Sequence, residues 1–294
     1  MPVVERDARL LAAGAPALAA ALGDRLGEPT LVVLTGPGLE APPDVRAVQE
    51  LPVVLAARAP VEPGVAAALD LVLEGDRPEG LLAGFDRAPA AATAAALLLR
   101  TPPATAWDGL VRESTTYSML QGSEEFRRWR AEHGAPRPAG DPGPRVRVAR
   151  HGRVTEVTLT RPQRHNALDV AMRDELYAAF DEAPGPVVLL GEGPSFCSGG
   201  DLDEFGTFPD PALAHLVRLS RSLAGQVAAR TGRVVVGLRG ACLGAGIELA
   251  AFAERVVASD DARVGLPELG LGLVPGAGGT VSLPRRIGRH RTLA

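Results

Sequence analysis

Val234-Val-Val-Gly-Leu-Arg-Gly-Ala-Cys-Leu-Gly-Ala-Gly-Ile-Glu-Leu249 opens on β-branched residues, passes through a glycine-rich turn and ends on a helical pattern. The short apolar run Val234–Val236 reads as a buried strand. Gly244-Ala245-Gly246 then leaves backbone N–H groups free at the positive end of a helix running from Gly246 to Phe252. Glu248 falls on the first turn of that helix, where the dipole favours a carboxylate, so simple capping also accounts for it. Strand, turn and helix in this order are the unit of an α/β fold.

Working outward, the same grammar recurs. Val187-Val-Leu-Leu190 is a second buried strand, followed by Pro194-Ser-Phe-Cys-Ser-Gly-Gly-Asp-Leu202 and a long helical pattern from Pro211 to Arg230. Val256-Val257 is a further strand. Upstream, Arg145–Val148 and Val154–Leu159 alternate like a hairpin turned at His151-Gly152. Asp169 is placed to cap a helix running to Phe180. The run Gly134-Ala-Pro-Arg-Pro-Ala-Gly-Asp-Pro-Gly-Pro144 lacks donors at its prolines and reads as a linker, dividing the chain into 1–133, 134–144 and 145–294.

The first part is helical by pattern from Asp7 to Arg25 and carries strand-like runs at Leu31–Leu34, Pro52–Ala56 and Leu71–Leu73. Leu31-Val-Val-Leu-Thr-Gly-Pro-Gly38 echoes Pro186-Val-Val-Leu-Leu-Gly-Glu-Gly193, and Pro52-Val-Val-Leu55 echoes Arg233-Val-Val-Val236. Order and approximate spacing agree, although Val/Leu-rich strands resemble one another in any α/β protein.

Composition narrows the class. With 294 residues and 46% hydrophobic content the chain can form two units with a sizeable core. A net charge of −4 offers no footprint for nucleic acid or an anionic membrane. No apolar run approaches the roughly 18 residues of a membrane span, and Met1–Arg25 lacks the basic and apolar regions of a signal peptide. Cys197 and Cys242 fit neither a metal spacing nor a disulfide framework, which points to small buried residues in a reducing cytoplasm. No Gly-x-Gly-x-x-Gly opens a helix as a dinucleotide site would need.

The chemistry-bearing residues sit in the loops. Two glycine turns facing each other make an oxyanion hole, with donors at ~3 Å from a developing negative oxygen. Each turn alone is also explained by tight geometry. Glu268, in Gly265-Leu-Pro-Glu-Leu-Gly270, has apolar neighbours that would raise its pKa and suit it to hold a proton, though a lone loop glutamate more often faces solvent.

Together these loops resemble the crotonase (enoyl-CoA hydratase/isomerase) family. Phe196-Cys-Ser-Gly-Gly-Asp-Leu202 is similar to its first oxyanion loop and Gly240–Leu249 to its second. Pro267-Glu268 through Pro275-Gly-Ala-Gly-Gly-Thr280 is similar to its catalytic glutamate loop, and Arg161-Pro-Gln-Arg-His-Asn-Ala-Leu168 to its first CoA-contacting turn. The resemblance implies a ββα spiral core over 145–294, with Glu248 and Glu268 as the acid/base pair and the N–H groups of Gly200 and Ala245 as the oxyanion hole. It also implies that Gln163, Arg164, His165, Ser198, Asp201 and Leu202 line the CoA channel. The implied substrate is an acyl-CoA thioester, with no metal and no cofactor beyond the CoA of the substrate. The implied partner is a further copy, in a trimer-like homo-oligomer, or a related crotonase subunit.

Three departures from the family stand out. Asp203 replaces a common Lys beside the CoA channel, leaving Arg164 or another Arg to supply the charge. Family chains continue beyond the point matching Arg291–Ala294 with helices that cover the acyl pocket. Gly109–Leu120 and Glu125–Trp129, in the first half, resemble those helices and are expected to close the site of the second. That half therefore reads as a degenerate, non-catalytic crotonase-like unit, with Ala59-Pro-Val-Glu-Pro-Gly64 in place of an oxyanion turn and Arg77-Pro-Glu-Gly80 in place of the glutamate loop. Tyr117, Trp107 and Trp129 are expected to be ordinary core or interface aromatics. Isomerisation, dehydration, thioester hydrolysis or a non-catalytic partner role are the alternatives to hydration.

Overall fold

The computed structural model describes residues 3–40, 49–73, 79–134, 143–230 and 232–294. Arg77 and Pro78 of the supposed glutamate-loop counterpart, and residues 135–142 of the linker, lie outside the described residues.

Two separate sheets account for the strand-like runs. The first contains β1 (Val3–Asp7), β2 (Leu31–Thr35), β3 (Val54–Arg58) and β4 (Leu71–Leu73), all parallel and in chain order. β2 is buried at four consecutive residues, because a parallel strand covered on both faces has no polar side to alternate. β1 lies just ahead of the stretch from Asp7 that reads as helical. It is an edge strand in which Val4 alone is buried, so its sequence carries almost no strand pattern.

The second half supplies β5 (Val146–His151), β6 (Val154–Leu159), β7 (Val187–Gly191), β8 (Val234–Leu238), β9 (Ala241–Leu243), β10 (Arg255–Ala258) and β11 (Arg263–Gly265). Its main sheet runs β10-β8-β7-β6-β5, with β5 and β6 forming the antiparallel hairpin and the remaining pairs parallel. β9 and β11 form a small parallel pair beside it. The ladder β6-β7-β8-β10 repeats the order and direction of β1-β2-β3-β4. The sequence echoes fall on matching rungs, β2 with β7 and β3 with β8.

Helices complete both layers. Asp169 caps Val170–Glu182 by accepting the Met172 N–H at 2.8 Å. The long pattern from Pro211 to Arg230 is two helices, Pro211–Ser220 and Leu223–Ala229. Ser222 begins the second by accepting the Gly225 N–H, which breaks an otherwise continuous periodicity. No helix among the described residues is long and apolar enough to cross a membrane.

The halves share a core. Leu273, Val274 and Leu293 lie in one apolar cluster with Leu31, Val54 and Leu71, together with Tyr117, Phe126 and Trp129. Beside it runs a buried ionic clamp in which Arg100 meets Asp70 through two bonds of 2.9 and 2.6 Å. Arg100 also donates to the carbonyls of Leu51 and Val53, while Asp70 accepts the Leu55 N–H at 2.8 Å. From the second half, Arg289 reaches the carbonyls of Ala67 and Leu69. Removing one member of such a pair strands the other charge in a low dielectric. Asp70→Ala is expected to cost about 3–5 kcal/mol, read as a lower urea midpoint of unfolding. An unchanged midpoint would show that the clamp contributes nothing to folding.

Candidate active site

The glycine turns are brought together by backbone pairing. Cys197 bridges Cys242, its N–H donating to the Ala241 carbonyl at 3.1 Å and its carbonyl accepting the Leu243 N–H at 3.0 Å. Both cysteines are buried and free, as small packing residues should be. Gly244 takes φ +45°, and a Cβ there would stand 2.4 Å from Glu268 Oε1, so both the turn and the neighbouring carboxyl require glycine. Just past each turn, Gly200 and Ala245 line a cavity of ≈ 290 Å³. Neither N–H donates to an acceptor among the described residues, although the flanking Asp201 N–H and Gly244 N–H are both bonded.

Glu248 and Glu268 border the same cavity, and both are buried. Glu248 does not cap its own helix. Its Oε2 accepts the N–H groups of Ala277 and Gly279 at 2.7 and 2.8 Å. Glu268 begins the 3-10 turn Glu268–Leu271 and turns inward, where its Oε2 has no hydrogen-bond partner. Burial pushes the Glu248 carboxyl up to about 7, opposed by the two backbone donors. Burial, and then the charge of Glu248, hold Glu268 well above the usual carboxylate range. Two acids side by side with unequal affinities for a proton can exchange one in each direction.

A third carboxylate was not anticipated. Glu113, on the helix Ala106–Gln121 of the first half, is 1% exposed. Its Oε1 accepts the Gly278 N–H at 2.6 Å, and its Oε2 accepts the N–H and hydroxyl of Thr280 at 2.8 and 2.7 Å. Residues 277–280 therefore alternate their donors between Glu248 and Glu113. Gly109 permits this closeness, since a Cβ there would meet Val281 at 2.6 Å. Burial, followed by the charge of Glu248, pushes Glu113 up to about 8, against its bonds to Thr280 and Gly278. The available signal was a glutamate on the apolar stripe that includes Leu110, Tyr117 and Leu120.

Tyr117 is a core aromatic, as expected, and has a second role. It lines the cavity, whereas Trp129 is core and Trp107 is 52% exposed.

The residues assigned to a CoA channel form the neighbouring loops. Asn166 ties them, accepting the Arg161 N–H and donating to the carbonyls of Glu192 and Ser195. His165 sits at φ +50°, with Nδ1 2.9 Å from Ser195 Oγ, and its carbonyl accepts the Ser198 N–H. Asp201 lines the cavity, but its Oδ2 is held by Arg161 at 2.7 Å and its Oδ1 accepts the Asp203 N–H. Arg164 lies 3.4 Å from Asp203 Oδ2, so the acidic departure from the family is matched by a neighbouring cation. The Leu202 carbonyl accepts from Arg130 of the first half at 3.2 Å. Gln163, Arg164, His165, Ser198 and Leu202 stand outside the cavity wall.

The raised carboxyls have a consequence for stability. A carboxyl that binds its proton more tightly when folded stabilises the fold below its unfolded value near 4.5, and loses that contribution as pH rises through its folded value. Here the loss spans the interval from near 4.5 to about 7 for Glu248 and about 8 for Glu113. The strongly lowered carboxylate Asp7, at about 2, titrates below this window. The melting temperature is expected to fall between about pH 5.5 and pH 8.5, and to fall less in Glu268→Gln. An equal slope in both proteins would contradict the assignment.

The mostly parallel sheet thus carries paired glycine turns, two unbonded N–H groups and neighbouring carboxyls on one cavity of an α/β fold. Residues 149–293 match the model of the enoyl-CoA hydratase/isomerase family, and this half of the chain belongs to that family, the crotonases. It is 38% identical over 148 residues to the 2,3-dehydroadipyl-CoA hydratase of Escherichia coli, covering 48% of this chain and 57% of that one. It is 40% identical over 141 residues to the peroxisomal bifunctional enzyme of Danio rerio, covering 46% of this chain and 18% of that one. Among solved structures, an enoyl-CoA hydratase from Thermoplasma volcanium matches at 33% identity and TM-score 0.47, over 51% of this chain and 62% of that one. The chain spans a little over half the length of the hydratase it matches in E. coli.

Proposed function

We propose that the chain adds water to a 2-enoyl-CoA thioester, or removes it. The observation that carries this reading is the placement of Glu248 and Glu268 on one cavity with the unbonded N–H groups of Gly200 and Ala245. Glu248, held partly ionised by its backbone donors, is the base, and Glu268 keeps the proton. Water gives a proton to Glu248 as its oxygen bonds to the β-carbon. The double-bond electrons move toward the thioester carbonyl, whose oxygen is stabilised by Gly200 and Ala245. Glu268 then protonates the α-carbon, and a proton passing from Glu248 to Glu268 restores the pair. Gln163, Arg164, His165, Ser198, Asp201 and Leu202 line the approach for CoA, which belongs to the substrate.

The first half serves as a non-catalytic brace. Glu62 accepts the N–H groups of Gly64 and Val65 at 2.7 and 3.2 Å, so the turn matching the second oxyanion loop has spent its donors on its own cap. The helices Ala106–Gln121 and Glu124–His133 close the site. The decisive assay is loss of ultraviolet absorbance as crotonyl-CoA is hydrated. Isomerised or hydrolysed product without hydration would redirect the reading to another crotonase reaction.

A further inference from the structure

Away from the carboxyl pair, the cavity wall changes character. The helix Pro211–Ser220 lies against Ala106–Gln121, and between them stands Arg218, which lines the cavity. Its guanidinium carbon is 4.6 Å from the centre of the Tyr117 ring. Nε donates to Ser114 Oγ at 3.1 Å, and Nη2 donates to the Ser114 carbonyl and to Ser118 Oγ. No carboxylate lies within ion-pair distance of it among the described residues. Among carboxyls, Glu113 influences it electrostatically, but that group accepts from Gly278 and Thr280.

Two further polar groups on the same wall lack partners. Tyr117 is 5% exposed, and its hydroxyl has no hydrogen bond among the described residues. Gln121 Oε1 is buried with none. Ser114, Tyr117 and Gln121 occupy one stripe of the helix, at spacings of three and four, which begins beside Glu113 and leads away from it. A guanidinium without a counter-ion and a phenol without an acceptor line the cavity with donors that an anion can take up. A carboxylate would accept from both Arg218 and Tyr117, whereas a methyl terminus would leave both donors unpaired.

We propose that Arg218 and Tyr117 form an anion subsite for the distal end of the acyl group, so that the substrates are 2-enoyl-CoA thioesters ending in a carboxylate. This rests on the proposed thioester chemistry. It concerns recognition at the far end of the acyl group, and the reacting atoms are unchanged.

The test compares trans-2-enedioyl-CoA thioesters of about five to eight carbons, a reach of roughly one to two helical turns, with methyl-ended 2-enoyl-CoA of equal length. Calorimetric binding of the saturated counterparts runs in parallel. Wild-type protein is expected to favour the carboxylate series by roughly 10–100-fold in kcat/KM and in affinity. Arg218→Met should bring that ratio to one or below, and the nearly isosteric Tyr117→Phe should reduce it several-fold with the fold intact. Equal use of the two series by the wild type, or a ratio that neither substitution moves, overturns the subsite. Discriminating binding without turnover of any thioester would overturn the hydratase reading and leave the subsite standing. Turnover without discrimination would do the reverse. Absence of binding by both saturated series overturns both.

Discussion

Glu248→Gln and Glu268→Gln are each expected to lower kcat for crotonyl-CoA hydration by about 10²–10⁴-fold, the usual worth of a positioned acid or base. Neither change should unfold the chain. In Glu248→Gln the side-chain amide oxygen can still accept from Ala277 and Gly279, which both bond to one oxygen of Glu248. Glu268 Oε2 has no protein partner to lose. The two losses should not add, because one proton cycle uses both groups and either deletion stops it. The double variant is therefore expected close to the worse single variant. Matching melting curves with activity at the wild-type level in either single variant would remove that residue from the chemistry.

Much of this site is legible in the sequence, because its parts are local. Gly244 and Glu248 lie within about one turn of helix, and Gly244, having no side chain, leaves room for the Glu268 carboxyl. β7 and β8 are legible for a related reason, since their residues are buried or half-buried throughout, with Val187, Leu189, Val234, Val236 and Leu238 fully inside. What escaped notice depends on distant partners or on edges. β1 has one buried residue to announce it. The break after Ser220 is made by one serine cap inside a continuing apolar pattern. The unpaired state of Arg218 exists only because Ser114, Tyr117 and Ser118 arrive from a helix about a hundred positions upstream.

Glu113 is the extreme case, because its bonding partners are 165 and 167 residues away. Replacing it with alanine leaves the N–H groups of Gly278 and Thr280 and the Thr280 hydroxyl without an acceptor in a buried setting. Each such loss costs about 1–3 kcal/mol, and the three are not additive because one carboxylate served them all. Glu113→Ala is therefore expected to lower stability by about 3–5 kcal/mol and kcat by at least ~10²-fold, the scale of a misplacement near 1 Å. The kinetic effect follows from the alternation of residues 277–280. Once Gly278 and Thr280 are released, the segment bearing Ala277 and Gly279, which hold Glu248, loses its anchor to the first half. Glu113→Gln keeps one acceptor but turns an amide N–H toward the donors of Thr280, so it should fall between alanine and wild type in urea midpoint. Removing residues 1–133 takes away this acceptor together with the first-half side of the shared core, and is expected to abolish folded, active protein. A folded remainder that hydrates crotonyl-CoA at the full rate, or Glu113→Ala with wild-type kcat, would show that the second half holds its catalytic loop unaided.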